Sequence, residues 1–572
     1  MNPAASRVCA VLLCLLMLGA TDEQHAMPRL GPETIVDLQP FRTVTSLDIE
    51  MGGRSGRATL IDLNPAIGAW YLLQLQWPGS VQSYHLESAR HGAQQLRLDR
   101  QGLLLSDGGG TTGCPLWAGG PGGLLEQAQR SALPYAPLCD GRLYLRNAVA
   151  GTYTRLERVT NFLRDRVWGG DRIVSFVRDQ FYQDAFLEQA RPAPSRFPPS
   201  DPPVSSSPQS ARLVASGAVA ILPSDIEVDL GEAANSMLLG QWYPVHDSPG
   251  IYLSAVQPQV VDAAVAARLR SRVVNLDAVE AVALDYLVAF DLSQFELGFA
   301  LGTDHPRLGW SERVLDEMRV PNLAGPDGID SATPLARTGM VSPAFTPLVA
   351  ATFAGGFKRE HGAFHYGDLA YRNRGSHYGF IEEGVVFSTL QPGLSTLYVL
   401  ADGTIGMKTW SHDDDAMLPR IRYARQNGVA LIDQDPVSAS PQSGPLITQW
   451  GPGNWSGSKD EQFRTLRAGA CLSETSTRRF LIYGYFSAAT PRAMARVFQA
   501  YGCRYAMHLD MNALEHTYLA LYTRTAGRLL VQHLVRGMDE VDKKGGDQIA
   551  PRFLGFPDDR DFFYLLRRRD AS

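Results

Sequence analysis

The sequence predicts an α+β chain, mixed α/β in its second half, with a β-rich accessory region in front. Three observations lead there. Residues Ala190 to Gln209 are dense in Pro and Ser and poor in apolar side chains, a composition that cannot build a packed core and reads as a semi-extended linker. Beyond this stretch, strand-like and helix-like patterns alternate to the C-terminus, as expected where helices pack on a sheet. Within that half one unit is legible throughout. Arg478 to Phe486 is an apolar, aromatic strand, and Thr490-Pro491 supplies an N-cap with proline at the first helical position. Met494, Val497, Phe498 and Tyr501 then form one apolar stripe that ends at Gly502, a suitable residue just past a helix end. A second strand, Arg504 to Leu509, follows and carries Asp510 to its carboxyl end, where α/β proteins commonly place ligand-binding groups.

Taken in order, the elements begin with Arg7, the apolar run Val8 to Leu18 and the small pair Gly19-Ala20. This pattern reads as a secretory signal peptide over residues 1–20, and the run is too short to cross a bilayer. The expected location is therefore periplasmic or secreted, with no transmembrane segment after signal cleavage. Residues 21–189 mix short apolar runs such as Ala69 to Gln76 with glycine-rich turns, which suits a β-rich accessory domain. Asp171 to Phe186, at its end, carries helix-like spacing. The linker spans 190–209 and the larger domain 210–572.

A length of 572 residues calls for two or more domains, and 45% hydrophobic with 20% charged residues is ordinary globular composition. Lys+Arg 53 against Asp+Glu 59 leaves a formal net charge of −6. Such a balance gives no attraction for phosphate polymers, so nucleic acid is not expected as a partner. With Cys9 and Cys14 in the signal segment, Cys114, Cys139, Cys471 and Cys503 remain. An even number of cysteines in an exported chain suggests two disulfides, and pairing Cys114 with Cys139 and Cys471 with Cys503 keeps each bridge within one domain. No Cys/His cluster has zinc spacing, so no metal ligand is assigned; a divalent cation is left open.

Four segments carry candidate chemistry. In Thr352 to Gly367 the amides of Gly355 and Gly356 can form an anion nest, with Lys358 adding a full charge and His361 and His365 nearby; a tight turn and a solvated basic loop is the plainer alternative. Asp402-Gly403, between two apolar runs, signals a hairpin, and the acidic Ser411 to Asp415 lacks the spacing of a calcium loop and reads as solvated. Arg464 and Arg467 offer planar donor forks suited to phosphate, or ordinary ion pairs. Tyr505 to Tyr518 gathers Asp510, Asn512, Glu515 and His516 at a strand end, where carboxylates and an imidazole can perform acid–base work or simply cap the strand.

These segments occur in the order found in the phosphodiester glycosidase domain family, enzymes that hydrolyse sugar-1-phosphate diesters. Ala354-Gly355-Gly356-Phe357-Lys358 resembles the family's Asn-Gly-Gly-Phe motif, Gly384-Val385-Val386 with Asp402-Gly403 its following strands, and Gln426-Asn427-Gly428 and Arg467-Ala468-Gly469 its Arg-Gln-Asn and Arg-Ser-Gly stretches. Leu509-Asp510-Met511-Asn512 is similar to a Leu-Asp-x-Asn form of a bacterial branch whose relatives carry Leu-Asp-Gly-Gly. The match covers roughly the last 330 residues as short motifs, and Ala354 stands where the family usually has Asn. The resemblance implies an exported hydrolase of a glycosyl-1-phosphodiester. Catalysis falls to Asp510 with His516 or Glu515, and substrate binding to Gly355, Gly356, Lys358, Arg467 and Asn512. A carbohydrate or sugar-phosphate is the implied substrate. The alternative is a non-catalytic envelope protein that binds glycan. Neither the oligomeric state nor the task of the first half is legible.

Overall fold

The computed structural model describes residues 34–51, 53–117, 123–154, 157–159, 184–194, 207–268, 275–311, 314–359, 378–435, 437–447, 463–525, 527–545 and 548–568. Residues 1–20, expected as a signal peptide, most of 171–186, expected as helical, the middle of the expected linker, His361 and His365 lie outside them.

The chain is β-rich, which corrects the expected mixed α+β class. Seven sheets account for the described strands, and every named strand pair runs antiparallel. Among the described residues the longest α-helix is Pro491–Ala500, ten residues; Leu124–Arg130, Ala263–Arg268 and Ala278–Val282 are one or two turns. The expectation failed because short apolar runs fit helix and strand periodicity equally well. Here the aromatic and β-branched content of runs such as Asp285–Asp291 and Phe562–Arg567 favours the pleated surface.

The strand–helix–strand unit illustrates the point. Its three elements form as Arg479–Ala489, Pro491–Ala500 and Tyr505–Met511, with Thr490 Oγ1 accepting from the Ala493 amide at 3.3 Å and Gly502 in the left-handed region. The two strands are not neighbours, however. Thr465–Glu474 lies between them, antiparallel to both. Asp510 therefore stands at the end of an antiparallel ladder rather than at a parallel-sheet crevice.

These three strands are the middle of an eight-stranded sheet, flanked by Asp285–Asp291 and Ile251–Val256 on one side and Ile432–Gln434 on the other. Alternation along each strand sorts the side chains onto two faces. Ile482, Phe486 and Ala506 pack against Met494, Val497 and Phe498 of the helix. Tyr483, Tyr485, Met507 and Leu509 join Phe299, Phe353 and Phe563 of a five-stranded sheet. A second five-stranded sheet holds the hairpin of Ser395–Leu400 and Ile405–Thr409, turned at Asp402-Gly403 as its sequence signalled, with Asp402 Oδ1 capping the Thr404 amide at 2.9 Å. The acidic 411–415 segment is exposed apart from Asp414, as expected, but instead of a loop it opens a 3-10 helix, His412–Arg420, in which Asp414 takes the Ser411 amide at 2.8 Å.

Residues 43–146 form a six-stranded and a three-stranded sheet. Strand Trp70–Trp77 is buried on both faces over its first four residues. Tyr71, Leu73 and Leu75 face the core between these two sheets, whereas Trp70 and Leu72 enter the same apolar cluster as Phe299 and Phe353. Each such side chain contributes about 1.5–3 kcal/mol on burial, so the first half is packed onto the second. Disulfides join Cys114 to Cys139 and Cys471 to Cys503, with Cα–Cα separations of 5.5 and 5.8 Å. Among the described residues no helix is long and apolar enough to cross a membrane.

Candidate functional site

Three of the motif segments are drawn together by one side chain. Asn427, fully buried, accepts from the Phe357 amide at 3.0 Å and donates to the carbonyls of His508 and Leu509 at 2.7 and 3.1 Å. It thereby ties the Gly-Gly-Phe turn to the strand end that bears Asp510. Beside it Arg425 donates to Asp561 at 2.8 Å and to the Phe357 carbonyl at 2.7 Å. The two glycines are required by this crowding. A Cβ at Gly355 would meet the Asp561 carboxylate at 2.3 Å, and one at Gly356 would meet the Arg425 guanidinium at 2.8 Å. The Gly355 amide is committed to the Asp561 carbonyl at 2.9 Å.

Asp510 is the next-to-last residue of its strand and is buried. One carboxylate oxygen caps the Met511 amide at 2.9 Å and the other takes Arg560 Nη1. Arg560 reaches with Nε to Glu157, so a single buried guanidinium bridges two carboxylates contributed from far apart in sequence. His516 stands beside them, Nδ1 at 2.9 Å from the Met511 carbonyl and Nε2 at 3.7 Å from Glu157. Glu515 points to the same segment, accepting from Thr154 Oγ1 at 3.0 Å. Asn512 holds φ +79°, a left-handed conformation that Asn tolerates better than other side-chain-bearing residues. It thus fills, without glycine, a turn that the resemblance associates with Gly-Gly.

The other predicted residues lie apart from this cluster or serve the backbone. Arg467 is fully buried and donates to the carbonyls of Ala489 at 2.8 Å and Phe463 at 3.0 Å, with Nη1 at 3.3 Å from Met511 Sδ. Lys358 is buried beside Arg359, whose guanidinium pairs with Asp327 at 2.7 Å.

The residues that sequence reading missed come mainly from the segment Asp558 to Asp561. Asp558 takes Arg552 through both oxygens, at 2.7 and 3.0 Å. Asp561 binds Arg425 and lies 2.7 Å from His305 Nδ1; burial would raise its carboxyl, but Arg425 and His305 hold it well below the usual range. Asp559 differs: it is fully buried, and neither carboxylate oxygen has a hydrogen-bond partner among the described residues. Burial, then Glu157 and Asp558, push it up to about 7. Glu157 moves the other way, since Arg560, His516 and Arg552 outweigh its burial. One signal was available in the sequence: Asp558 to Asp561 is a charged run set between the aromatic stretches Phe553 to Phe556 and Phe562 to Tyr564.

The cluster therefore combines an acid pushed up toward neutrality, Asp559, a carboxylate held down by its cationic neighbours, Glu157, an imidazole and an arginine already serving anions. Such a set can donate a proton, accept one and hold a negatively charged group. Among the described residues no group of three or more His, Cys, Asp or Glu is arranged to hold a metal ion.

No protein-family model and no curated protein matches the chain. Among solved structures, the catalytic domain of zebrafish N-acetylglucosamine-1-phosphodiester alpha-N-acetylglucosaminidase, auto-inhibited by its pro-peptide, is 10% identical. The match covers 68% of this chain and 98% of that one, with a TM-score of 0.28. A putative exported protein from Burkholderia pseudomallei K96243 is 11% identical over 50% of this chain and 74% of its own, with a TM-score of 0.22.

Proposed function

We propose that the protein is an exported hydrolase of a glycosyl-1-phosphodiester bond, with its reacting centre at Asp510, Arg560 and Asp559. The observation that carries this reading is the convergence, around Asn427, of the Gly-Gly-Phe turn and the Asp510 strand end, next to a buried arginine that serves two carboxylates. The two disulfides fit an oxidising compartment.

Asp510 takes a proton from water as the water oxygen bonds to the anomeric carbon. The bond from that carbon to the phosphate oxygen breaks, and its electron pair stays on the departing phosphate. That group needs charge neutralisation more than protonation, which suits Arg560. Protonated Asp559 supplies a proton to the phosphate when required, and His516 orders the loop after Asp510 through the Met511 carbonyl.

Purified full-length protein should hydrolyse the methyl diester of N-acetylglucosamine 1-phosphate. Replacing Asp510 with Asn should slow turnover about 10²–10⁴-fold. The substitution also weakens a buried ion pair, so the assay belongs well below the thermal midpoint, where circular dichroism confirms the native fold; stability should fall by up to about 3–5 kcal/mol. Undiminished hydrolysis by folded Asp510→Asn removes Asp510 from the role. Turnover in ¹⁸O-labelled water places the label on the sugar if the carbon–oxygen bond is the one cleaved.

A further inference from the structure

Arg560 is buried, and two carboxylates hold it already: Nη1 serves Asp510 from the second half of the chain, and Nε serves Glu157 from the first. A phosphate engages a guanidinium best through two donors at once. It can therefore bind Arg560 closely only by taking the place of one carboxylate. Asp510 lies on strand Tyr505–Met511, and its other oxygen caps the Met511 amide at 2.9 Å. Glu157 stands a short way past strand Leu143–Arg146, where the chain leaves the first-half sheet.

The residues just before Glu157 rest on the centre through polar contacts. Thr152 donates its amide to the Pro557 carbonyl at 2.9 Å, forms a parallel bridge with Asp558 and accepts from Lys543 Nζ at 2.9 Å. Tyr153 donates to Asp304 at 2.6 Å, and Thr154 donates to Glu515 at 3.0 Å. All three are half-buried, and Tyr153 belongs to none of the apolar clusters of the fold. Hydrogen bonds near the surface exchange for water at small net cost, whereas buried apolar contacts do not. Asp510 lacks that freedom, since its strand is paired and its neighbours Leu509 and Met511 are packed in the core. Of the two carboxylates, Glu157 is the one that can give way.

Its carboxylate fills a place suited to an oxyanion. One oxygen accepts from the Thr154 amide at 3.0 Å, while Thr154 Oγ1 accepts from the Glu157 amide at 3.1 Å, the reciprocal exchange of a capping box. The other oxygen takes Arg560 Nε and lies 3.7 Å from His516 Nε2. An arginine and an imidazole that meet at one oxygen serve a phosphate as well as a carboxylate. The charge also matches: after burial, Glu157 is the strongest influence pushing Asp559 up, and a phosphate in the same place would keep that acid protonated. In a purely structural role Glu157 would only cap and pair, and the two roles differ in what its removal does.

We infer, resting on the reading of this centre as a phosphodiester hydrolase, that the Glu157 carboxylate occupies the seat of the substrate's phosphate. Substrate binds Arg560 and His516 only as Glu157 gives way, so the end of the first half competes for the site it covers. A ligand in competition with such a tethered group binds with an affinity reduced by the fraction of molecules in which the seat is free.

The test is calorimetric titration of the full-length protein with inorganic phosphate. Glu157→Ala should bind phosphate at least about tenfold more tightly than wild type, and adding Arg560→Met to that variant should remove the gain. Phosphate should also raise the thermal midpoint of Glu157→Ala more than that of wild type. Toward the methyl diester of N-acetylglucosamine 1-phosphate, Glu157→Ala should lower KM about tenfold or more. Because Glu157 closes a capping box, Thr154→Val serves as a second probe: it loosens the segment, leaves Arg560 untouched and should strengthen phosphate binding to a smaller degree. If folded Glu157→Ala binds phosphate no more tightly than wild type, or keeps its gain without Arg560, the inference is overturned; should Glu157→Ala fail to fold, Thr154→Val decides in its place. Hydrolysis with phosphate binding unchanged in the variants would sink only this inference. Tighter, Arg560-dependent phosphate binding without hydrolysis would leave an anion seat guarded by Glu157 and sink only the hydrolase.

Discussion

Two buried charge networks can be set side by side. One lies where the first-half sheet meets the second half of the chain. There Glu87 accepts from the Trp70 indole at 3.0 Å and from Arg146 at 2.5 Å, Arg146 stacks on the Trp70 ring at 3.9 Å, and His91 links Glu87 to Glu383, which also binds Arg422 at 2.8 Å. The other is the Asp510, Arg560, Glu157 and Asp559 cluster. Both contain a carboxyl group displaced upward: burial pushes Glu382 of the first network up to about 8, as burial and neighbouring acids push Asp559 up to about 7. Perturbed titration therefore does not separate glue from chemistry. Hydrogen bonding does. Glu382 accepts from the Leu301 amide at 3.0 Å and sits 3.7 Å from Arg146, whereas neither oxygen of Asp559 has a hydrogen-bond partner among the described residues. A buried carboxyl held by donors fits an interface, even where neighbouring atoms such as Arg146 Nε go without a hydrogen bond, and one kept buried without any is costly unless it does something else.

The contrast can be broken at either end. Asp559→Asn should reduce phosphodiester turnover by at most about 10²-fold, the low end for an acid–base group because the phosphate needs its proton only in part, and abolish the decline of activity as pH rises through about 7. Its stability should hold or rise, since an unpartnered buried carboxyl is removed; a large loss of stability with unchanged turnover would make Asp559 part of the glue. Arg146→Met, in the other network, should cost about 3–5 kcal/mol in urea unfolding by stranding Glu87, with turnover of the folded fraction unchanged.

Stability against pH sharpens the same comparison. Burial pulls His91 down, but Glu383 and Glu87 outweigh it and raise it from 6.5 to about 9. Its contribution is complete below 6.5 and is lost as pH climbs to 9. Glu382, raised from 4.5 to about 8, also binds its proton more tightly when folded, so its contribution falls across that range as pH rises. Both act in one direction: stability should decline from pH 6.5 to 9 by on the order of 1–3 kcal/mol, read as a falling thermal midpoint, and His91→Gln should flatten the upper part of the curve. The smallest effect belongs to Asn512. Replacing it with Ala at φ +79° should cost about 1–2 kcal/mol, read by thermal unfolding.

Local chemistry was legible before any fold was known. Thr490-Pro491 and Gly502 bracket the one substantial described helix, Asp402-Gly403 turns its hairpin, and the four cysteines pair as their spacing suggested. These signals depend on residues close in the chain, so composition and order suffice to read them. The fold class was misjudged because strand partners are remote: Asp285–Asp291 pairs with Arg479–Ala489, and Phe295–Ala300 with Phe562–Arg567.

For the candidate site the division is the same. Asp510, His516 and the Gly-Gly turn announce themselves through residue type and local setting, and the sequence by itself determined that they flank an apolar strand and a tight turn. Only the tertiary structure decided what each one touches. Arg560 meets Glu157 across 403 positions and Asp510 across 50, while Arg467, an attractive anion ligand on paper, donates to the carbonyls of Ala489 and Phe463. A guanidinium, like a carboxylate, buried in a low-dielectric interior must find partners wherever the chain brings them, and antiparallel sheets bring them from any distance along the sequence.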